Sequence, residues 1–198
     1  ARRRGTGSHS ERGQSPKLYN AHLSDWEVQG DFRLCSFISF FCVFIVYVLS
    51  VNPTIVGGDN PEVMTAAIQL GTAHPPGYPL ITLVGHLFSR LFSFIGNPAL
   101  VLNVLSVLFA CVASFFLCGT VYYLTNGDAI ASVASSLILS FGSTFWIQSV
   151  QFEVFTMNNM FICIVLFLTV QFYYHYWREE NEKLFPIALK GAFVAALS

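Results

Sequence analysis

Long apolar runs separated by short polar segments dominate the chain. Four runs approach the roughly 20 residues that cross a bilayer core, and a fifth is shorter. They cover residues 34–51, 99–124, 129–150, 157–177 and 187–198. The pattern predicts an all-α polytopic membrane protein, since only helices or closed barrels satisfy the backbone in lipid. We interpret the chain as the amino-terminal part of a longer protein, because the fifth run is too short to cross.

The segment between the first two runs, residues 52–98, carries helical patterns of its own. Asn60-Pro61-Glu62 is typical of a helix start, and a short helix is predicted from there to about Leu70. Further on, an apolar stripe alternates with a polar one at helical spacing, which predicts an amphipathic helix lying in the membrane interface. The apolar stripe contains Leu80, Leu83, Val84, Leu87, Leu91 and Phe94, and the polar stripe contains Thr82, His86, Ser89, Arg90 and Ser93.

Composition agrees with a membrane protein and excludes some functions. Of 198 residues, 54% are hydrophobic and 11% charged, against about 25% charged in a soluble domain. The net charge of -1 gives no field that would attract nucleic acid. The five cysteines lie in apolar runs without metal-binding or disulfide spacing, so no metal site or cofactor is expected. Residues 1–33, with their early arginines, are predicted to form a flexible cytoplasmic tail.

Positive charge sets the predicted orientation. Basic residues flank the first and fourth spans at Lys17, Arg33, Arg178 and Lys183. With alternating helices these residues share one side, which the positive-inside rule makes cytoplasmic. The first loop, residues 52–98, and the segment 148–156 then share the opposite side, in the lumen or exterior. Four polar side chains therefore fall in one compartment: Asp59, Glu62, His74 and Glu153.

Three motifs resemble a known family from about residue 34 onward. They are Gly57-Gly58-Asp59 with Glu62, Ala73-His74-Pro75-Pro76-Gly77-Tyr78-Pro79-Leu80, and Glu153-Val154-Phe155 with Asn158. In this order they resemble the transmembrane protein 260 family. The chain departs from the family at Asn60-Pro61, where the family has Ser-Gly, and at Val63, where it has Leu.

The resemblance implies a fold and an activity. It implies a GT-C-like transmembrane helix bundle in the endoplasmic reticulum membrane, with a lumenal first loop. It also implies a protein O-mannosyltransferase that takes mannose from a dolichyl-phosphate donor and places it on Ser or Thr hydroxyls of protein acceptors. The expected partners are thus the bilayer, the lipid-linked sugar, which is a substrate and not a cofactor, and the acceptor protein.

Roles for individual residues follow from that implied reaction. Sugar transfer needs a base for the hydroxyl proton and a group that steadies the departing phosphate. Through the resemblance, Asp59 is the first choice for the base, with Glu62 or Glu153 as a supporting acid or acceptor-orienting group. The candidate substrate-binding residues are His74, Tyr78 and Arg90, with His74 and Arg90 as phosphate partners.

Each of these residues also has a structural interpretation. Asp59 and Glu62 can cap a helix or complement its dipole, and His74 can tie down its turn. Glu153 can be a solvent-exposed loop residue, and Arg90 can contact lipid headgroups. Asn103 and Asn158 are interpreted as interhelical hydrogen-bonding residues.

Other functions remain as alternatives. The chain could form part of a multi-spanning transporter or a membrane scaffold. A transporter favours acids near mid-membrane and an internal repeat, and neither feature occurs in these runs. A further alternative is a segment that is inactive without the helices that follow it.

Overall fold

The computed structural model describes residues 25–197, which are helical apart from their connecting turns. The helices are α1 (Asp25–Ser50), α2 (Asn60–Gln69), α3 (Pro79–Leu91), α4 (Pro98–Leu124), α5 (Ala129–Ser140), α6 (Ser143–Ser149), α7 (Val154–Trp177) and α8 (Asn181–Leu197), with a 3-10 turn at Ser93–Ile95. Most of the predicted cytoplasmic tail, residues 1–24, lies outside the described residues, and α1 begins before the first apolar run.

Three helices are long and apolar enough to cross a membrane. They are Asp31–Ser50 within α1, the whole of α4 and the whole of α7. α4 is the central helix and packs against α1, α5 and α7. The coarse prediction of an all-α membrane protein is therefore confirmed, and these helices correspond to the first, second and fourth predicted spans.

The third predicted span is broken. We expected a continuous helix over 129–150, but α5 and α6 meet at 68° and count as a span only when taken together. The helical ladder ends where Gly142 N–H donates to the carbonyl of Leu139, at 3.1 Å. The carbonyl of Ser140 accepts a hydrogen bond from the hydroxyl of Tyr47 on α1. α5 alone is about 18 Å long, too short for a bilayer core of about 30 Å.

α7 and α8 form an antiparallel hairpin. α8 begins at Asn181, earlier than the predicted start of the fifth run at residue 187. Glu180 holds the turn: its carboxylate lies 2.8 Å from His175 Nδ1 and 2.7 Å from Lys183 Nζ. The charge cluster that the sequence places after the fourth span is thus a compact ion-pair cluster.

α3 has one inner and one outer face. Ile81, Thr82 and Gly85 are buried, whereas the outer row of Leu83, Leu87 and Leu91 is exposed. The prediction that the whole polar stripe faces water is wrong, because Thr82 is buried and His86 Nδ1 lies 2.9 Å from the Ala67 carbonyl oxygen of α2. The exposed leucines give α3 the apolar row that an interfacial helix needs.

Two fully buried amides, Asn60 and Asn103, join the first loop to the bundle. We call this pair the amide network. Asn103 Nδ2 donates to the carbonyl of Asn52, at 2.8 Å, and its Oδ1 accepts from the Phe152 N–H, at 2.8 Å. Asn60 Nδ2 donates to the Phe152 carbonyl, at 3.0 Å, and its Oδ1 accepts from the Val56 N–H, at 2.9 Å. The Asn60 side chain therefore does not cap α2, although Asn60-Pro61 is typical of a helix start; it joins the first loop to the backbone of Phe152.

The substitution Asn103→Leu tests the amide network. It removes the partners of the Phe152 N–H and of the Asn52 carbonyl, and each buried group left unpaired costs about 1–3 kcal/mol. We expect a lower midpoint of thermal unfolding in detergent for the full-length protein. Ser106→Ala is the matched control, because Ser106 is also buried on α4 but its hydroxyl has no hydrogen-bond partner among the described residues. Equal midpoints for Asn103→Leu and Ser106→Ala would contradict the role of the network.

The helix order brings the first loop and the start of α7 to one end of the bundle. Asn52 N–H donates to the Val150 carbonyl, at 3.3 Å. At the other end, the rings of Tyr123 and Tyr174 lie 5.0 Å apart.

A glycosylation-acceptor tag with flexible flanks tests which end faces the lumen. Inserted at Gly96, in an exposed turn, the tag is expected to be glycosylated in microsomes. The same tag at Gly127, in the turn between α4 and α5, is expected to remain unmodified. The reverse result would invert the orientation that we infer from charge.

Candidate active site

Three segments that are distant in sequence converge on a small cavity at the first-loop end of the bundle. They are the turn before α2, the turn before α3 and the start of α7. The cavity has a volume of about 170 Å³, and we call it the acidic cavity. Its lining residues are Asp59, Val63, His74, Tyr78, Glu153, Val154, Phe155 and Asn158. Four of the six predicted site residues thus lie together: Asp59, His74, Tyr78 and Glu153.

Asp59 occupies the N-cap position of α2 without acting as a cap. Its side chain makes no capping hydrogen bond, although its carbonyl accepts from the Val63 N–H, at 3.0 Å. Gly58 before it has φ +81, a conformation that L residues rarely adopt. The turn therefore presents an exposed carboxylate to the acidic cavity, and helix capping does not account for it.

Glu153, which directly precedes α7, also lines the cavity and is buried, with 5% of its surface exposed. The interpretation of Glu153 as a solvent-exposed loop residue is therefore wrong. Its Oε1 accepts a hydrogen bond from Gln151 Nε2, at 3.0 Å. A Cβ placed on Gly58 would lie 3.4 Å from the same oxygen, so the Gly58 turn packs directly against this carboxyl group.

The environment of Glu153 favours its protonated form. Burial, chiefly, and the charge of Asp59, in addition, raise the pKa of the Glu153 carboxyl, while the hydrogen bond from Gln151 opposes them. Asp59, in contrast, is exposed. Two carboxyl groups in one cavity thus have different surroundings, which is the arrangement that separates acid from base roles.

Glu62 acts on the acidic cavity through His74. Its Oε1 accepts from the His74 backbone N–H, at 2.6 Å, and its Oε2 lies 3.1 Å from His74 Nδ1. The other ring nitrogen, Nε2, lies 3.4 Å from the Tyr78 hydroxyl. A carboxylate beside Nδ1 favours a proton there and leaves Nε2 as the acceptor. Glu62 is therefore a positioning residue for the imidazole.

Arg90 lies elsewhere. It lines a separate groove of about 290 Å³ at the other end of α3, beside Asn97 and Pro98 at the start of α4. The structure does not bring Arg90 to the acidic cavity, where His74 is the basic lining residue.

The structure gives two polar residues of the site roles that the sequence does not predict. Gln151, which is buried and holds Glu153, was not considered. Asn158, interpreted as an interhelical residue, is exposed and lines the acidic cavity. The signal for Gln151 was the polar alternation Gln151-x-Glu153 immediately before an apolar helix. Within residues 25–197, no group of three or more His, Cys, Asp or Glu side chains is placed to hold a metal ion.

Comparison with known proteins gives the family of this chain. The family model for the Protein O-mannosyl-transferase TMEM260 N-terminal domain matches residues 59–198. The chain belongs to the TMEM260 family. The match includes Asp59, Glu153 and every other residue that lines the acidic cavity.

Two curated TMEM260 relatives show the same relationship. The Protein O-mannosyl-transferase TMEM260 of Mus musculus is 40% identical over 159 residues, which are 80% of this chain and 22% of the relative. The Protein O-mannosyl-transferase tmem260 of Dictyostelium discoideum is 35% identical over 150 residues, 75% of this chain and 18% of the relative. The chain thus spans about a fifth of the length of these TMEM260 proteins. No solved structure matches it.

The raised pKa of Glu153 predicts a pH dependence of stability. The folded protein holds this proton to higher pH than the unfolded chain, whose carboxyl titrates near its ordinary value of 4.5. Stability is therefore lost as pH rises from that value through the raised pKa. We expect Glu153→Gln to flatten this part of a curve of thermal unfolding midpoint against pH. Parallel curves for wild type and variant would show that Glu153 does not titrate abnormally.

Proposed function

We propose that the full-length protein is a glycosyltransferase that moves mannose from a dolichyl-phosphate donor to Ser or Thr hydroxyls of protein acceptors in the endoplasmic reticulum lumen. The family relationship supports mannosyl transfer, since the relatives are named protein O-mannosyl-transferases. The observation that carries the proposal is the convergence of Asp59 and Glu153 on one cavity. A base and an acid that face the same small space can serve the two ends of a group transfer.

Asp59 is the general base in this proposal. Its exposed carboxylate takes the proton of the acceptor hydroxyl while the hydroxyl oxygen bonds to C1 of the mannose. The bond between C1 and the phosphate oxygen breaks, and the dolichyl phosphate leaves with the bonding electron pair. Positioned base catalysis of this kind contributes about 10²- to 10⁴-fold to a rate.

Glu153 serves the leaving group. In this proposal Glu153 is protonated when the donor binds and donates a hydrogen bond to the phosphate oxygen on which charge develops; burial and the charge of Asp59 both shift its pKa in that direction. A second ionised carboxylate in that place would instead repel the phosphate. The hydrogen bond from Gln151 occupies Oε1 and leaves the other carboxyl oxygen to carry the proton.

His74 and Tyr78, in the turn before α3, also line the acidic cavity. With its proton held at Nδ1 by Glu62, His74 accepts a hydrogen bond from the Tyr78 hydroxyl at Nε2 and so orients that hydroxyl. We assign Tyr78 and His74 to substrate binding and Glu62 to their alignment. The exposed leucine row of α3 lies in the membrane interface in this proposal, beside a donor that is itself anchored in lipid.

The central test compares wild type with Asp59→Asn in full-length protein, using membranes supplied with dolichyl-phosphate mannose and a folded acceptor domain. We expect mannosyl transfer to fall about 10²-fold or more, because the base is lost. Folding should be retained, since Asp59 makes no capping hydrogen bond.

Glu182→Gln is the matched control, because Glu182 is an exposed acid in the first turn of α8. It should transfer mannose at the wild-type rate. Equal transfer by wild type and Asp59→Asn would remove Asp59 as the base. Absence of transfer by wild type from this donor would overturn the proposed reaction.

A further inference from the structure

A further cavity, larger than the acidic cavity and the groove beside Arg90, lies at the break between α5 and α6. It has a volume of about 710 Å³, within the range of about 300–1,000 Å³ that is usual for small-molecule sites. We call it the break groove. Its apolar lining includes Ile138, Phe145 and Phe155, and its polar lining includes Ser143, Thr144 and Asn159. The groove is therefore amphipathic, with small polar groups set among large apolar ones.

The break groove adjoins the acidic cavity. Phe155, at the start of α7, lines both spaces. A second connection is polar: Gln148 lines the groove, and its side-chain oxygen lies 3.4 Å from Gln151 Nε2, which in turn donates to Glu153. A molecule bound in the groove thus contacts Phe155, which also lines the cavity that holds the two carboxyl groups.

The groove also opens outward. Ile138 is 76% exposed and Phe155 is 54% exposed, and both belong to helices that count among the candidate membrane spans. Irregular backbone at membrane depth is tolerated where protein or another polar-lined space covers it, and broken membrane helices mark binding sites in other membrane proteins. The helix break therefore supplies an opening toward lipid and polar groups beside it.

We propose that the break groove binds the first isoprenyl units of the lipid-linked donor, with the donor phosphate beside Phe155. This inference rests on the proposed function, because that function supplies a substrate with a polar head and an apolar chain. The head must reach the acidic cavity while the chain returns to hydrocarbon. The groove matches this requirement, since it is apolar, open to the side and bounded by the same phenylalanine as the cavity.

The test uses Thr144→Trp to fill the groove in the full-length protein, assayed with two mannosyl phosphate donors, one esterified to a long isoprenyl chain and one to a methyl group. A tryptophan there displaces bound chain, and loss of about two buried methylene groups corresponds to about tenfold in affinity. We expect the KM for the long-chain donor to rise about tenfold or more. The KM for the methyl donor should change little, since it has no isoprenyl unit to place in the groove.

Ile147→Trp is the matched control. Ile147 lies on the same short helix and is 59% exposed, but it does not line the groove. This variant should keep the wild-type KM for both donors. Equal effects of Thr144→Trp on both donors, or no effect on either, would overturn the assignment of the groove.

Photocrosslinking covers the case in which Thr144→Trp fails to fold. A polyprenyl phosphate with a diazirine on its first isoprenyl unit should label residues 138–159 of the wild-type protein, in competition with dolichyl phosphate. Labelling at other residues would overturn the proposal. Absence of labelling would also overturn it, since it would show that the groove is closed to the donor, for example by a later segment of the protein. Competition by phosphatidylcholine alone would also do so, because it would show an ordinary lipid site.

The two proposals can fail separately. Crosslinking reports on the groove even where wild type transfers no mannose, and transfer dependent on Asp59 supports the function even where the groove stays unlabelled.

Discussion

The site depends on the hydrogen bonds that two buried amides make across the first-loop end of the bundle. Asn60 directly follows Asp59 in the sequence, and Phe152 directly precedes Glu153. The Asn60 side chain donates to the Phe152 carbonyl, at 3.0 Å, so the bond joins the backbone beside one carboxyl group to the backbone beside the other. Buried polar groups are costly unless every partner is in place, and Asn103 supplies the remaining one by accepting from the Phe152 N–H. The network therefore specifies one arrangement of the two acids.

The apolar core packs against the residue at the centre of this network, Phe152. The Phe152 ring is fully buried, and a Cβ added to Gly85 of α3 would lie 2.8 Å from its Cζ. Glycine is thus required where α3 approaches this ring. Since α3 follows the His74–Tyr78 turn, its close packing on Phe152 also sets the position of that turn. The hydrogen-bonded and the apolar contacts of one residue, Phe152, consequently align all three walls of the acidic cavity.

Features that follow from bilayer thickness were predictable from the sequence, whereas features that depend on particular tertiary contacts were not. The spans in α1, α4 and α7 follow from bilayer thickness, and counting them placed Asp59 and Glu153 at one end. The break at Gly142 did not follow, because hydropathy measures transfer to lipid and carries no information on the direction of a helix axis. Asn60 was assigned to a cap because a local cap and a long-range partner have the same sequence signature. Arg90 is separated from the cavity because the 12 residues from Tyr78, at 1.5 Å each, place it about 18 Å along α3.

The closeness of the two carboxyl groups couples two steps of the proposed reaction, proton uptake by Asp59 and departure of the phosphate beside Glu153. The charge of Asp59 is one of the causes that raise the pKa of Glu153. When Asp59 accepts the proton of the acceptor hydroxyl, that charge is neutralised and one of the causes that raise the pKa of Glu153 disappears. Glu153 then becomes a stronger acid at the moment when the departing phosphate gains charge, and its hydrogen bond to the phosphate strengthens. The charge of Asp59, which favours the neutral form of Glu153 in the resting site, thus connects the base step to the leaving-group step.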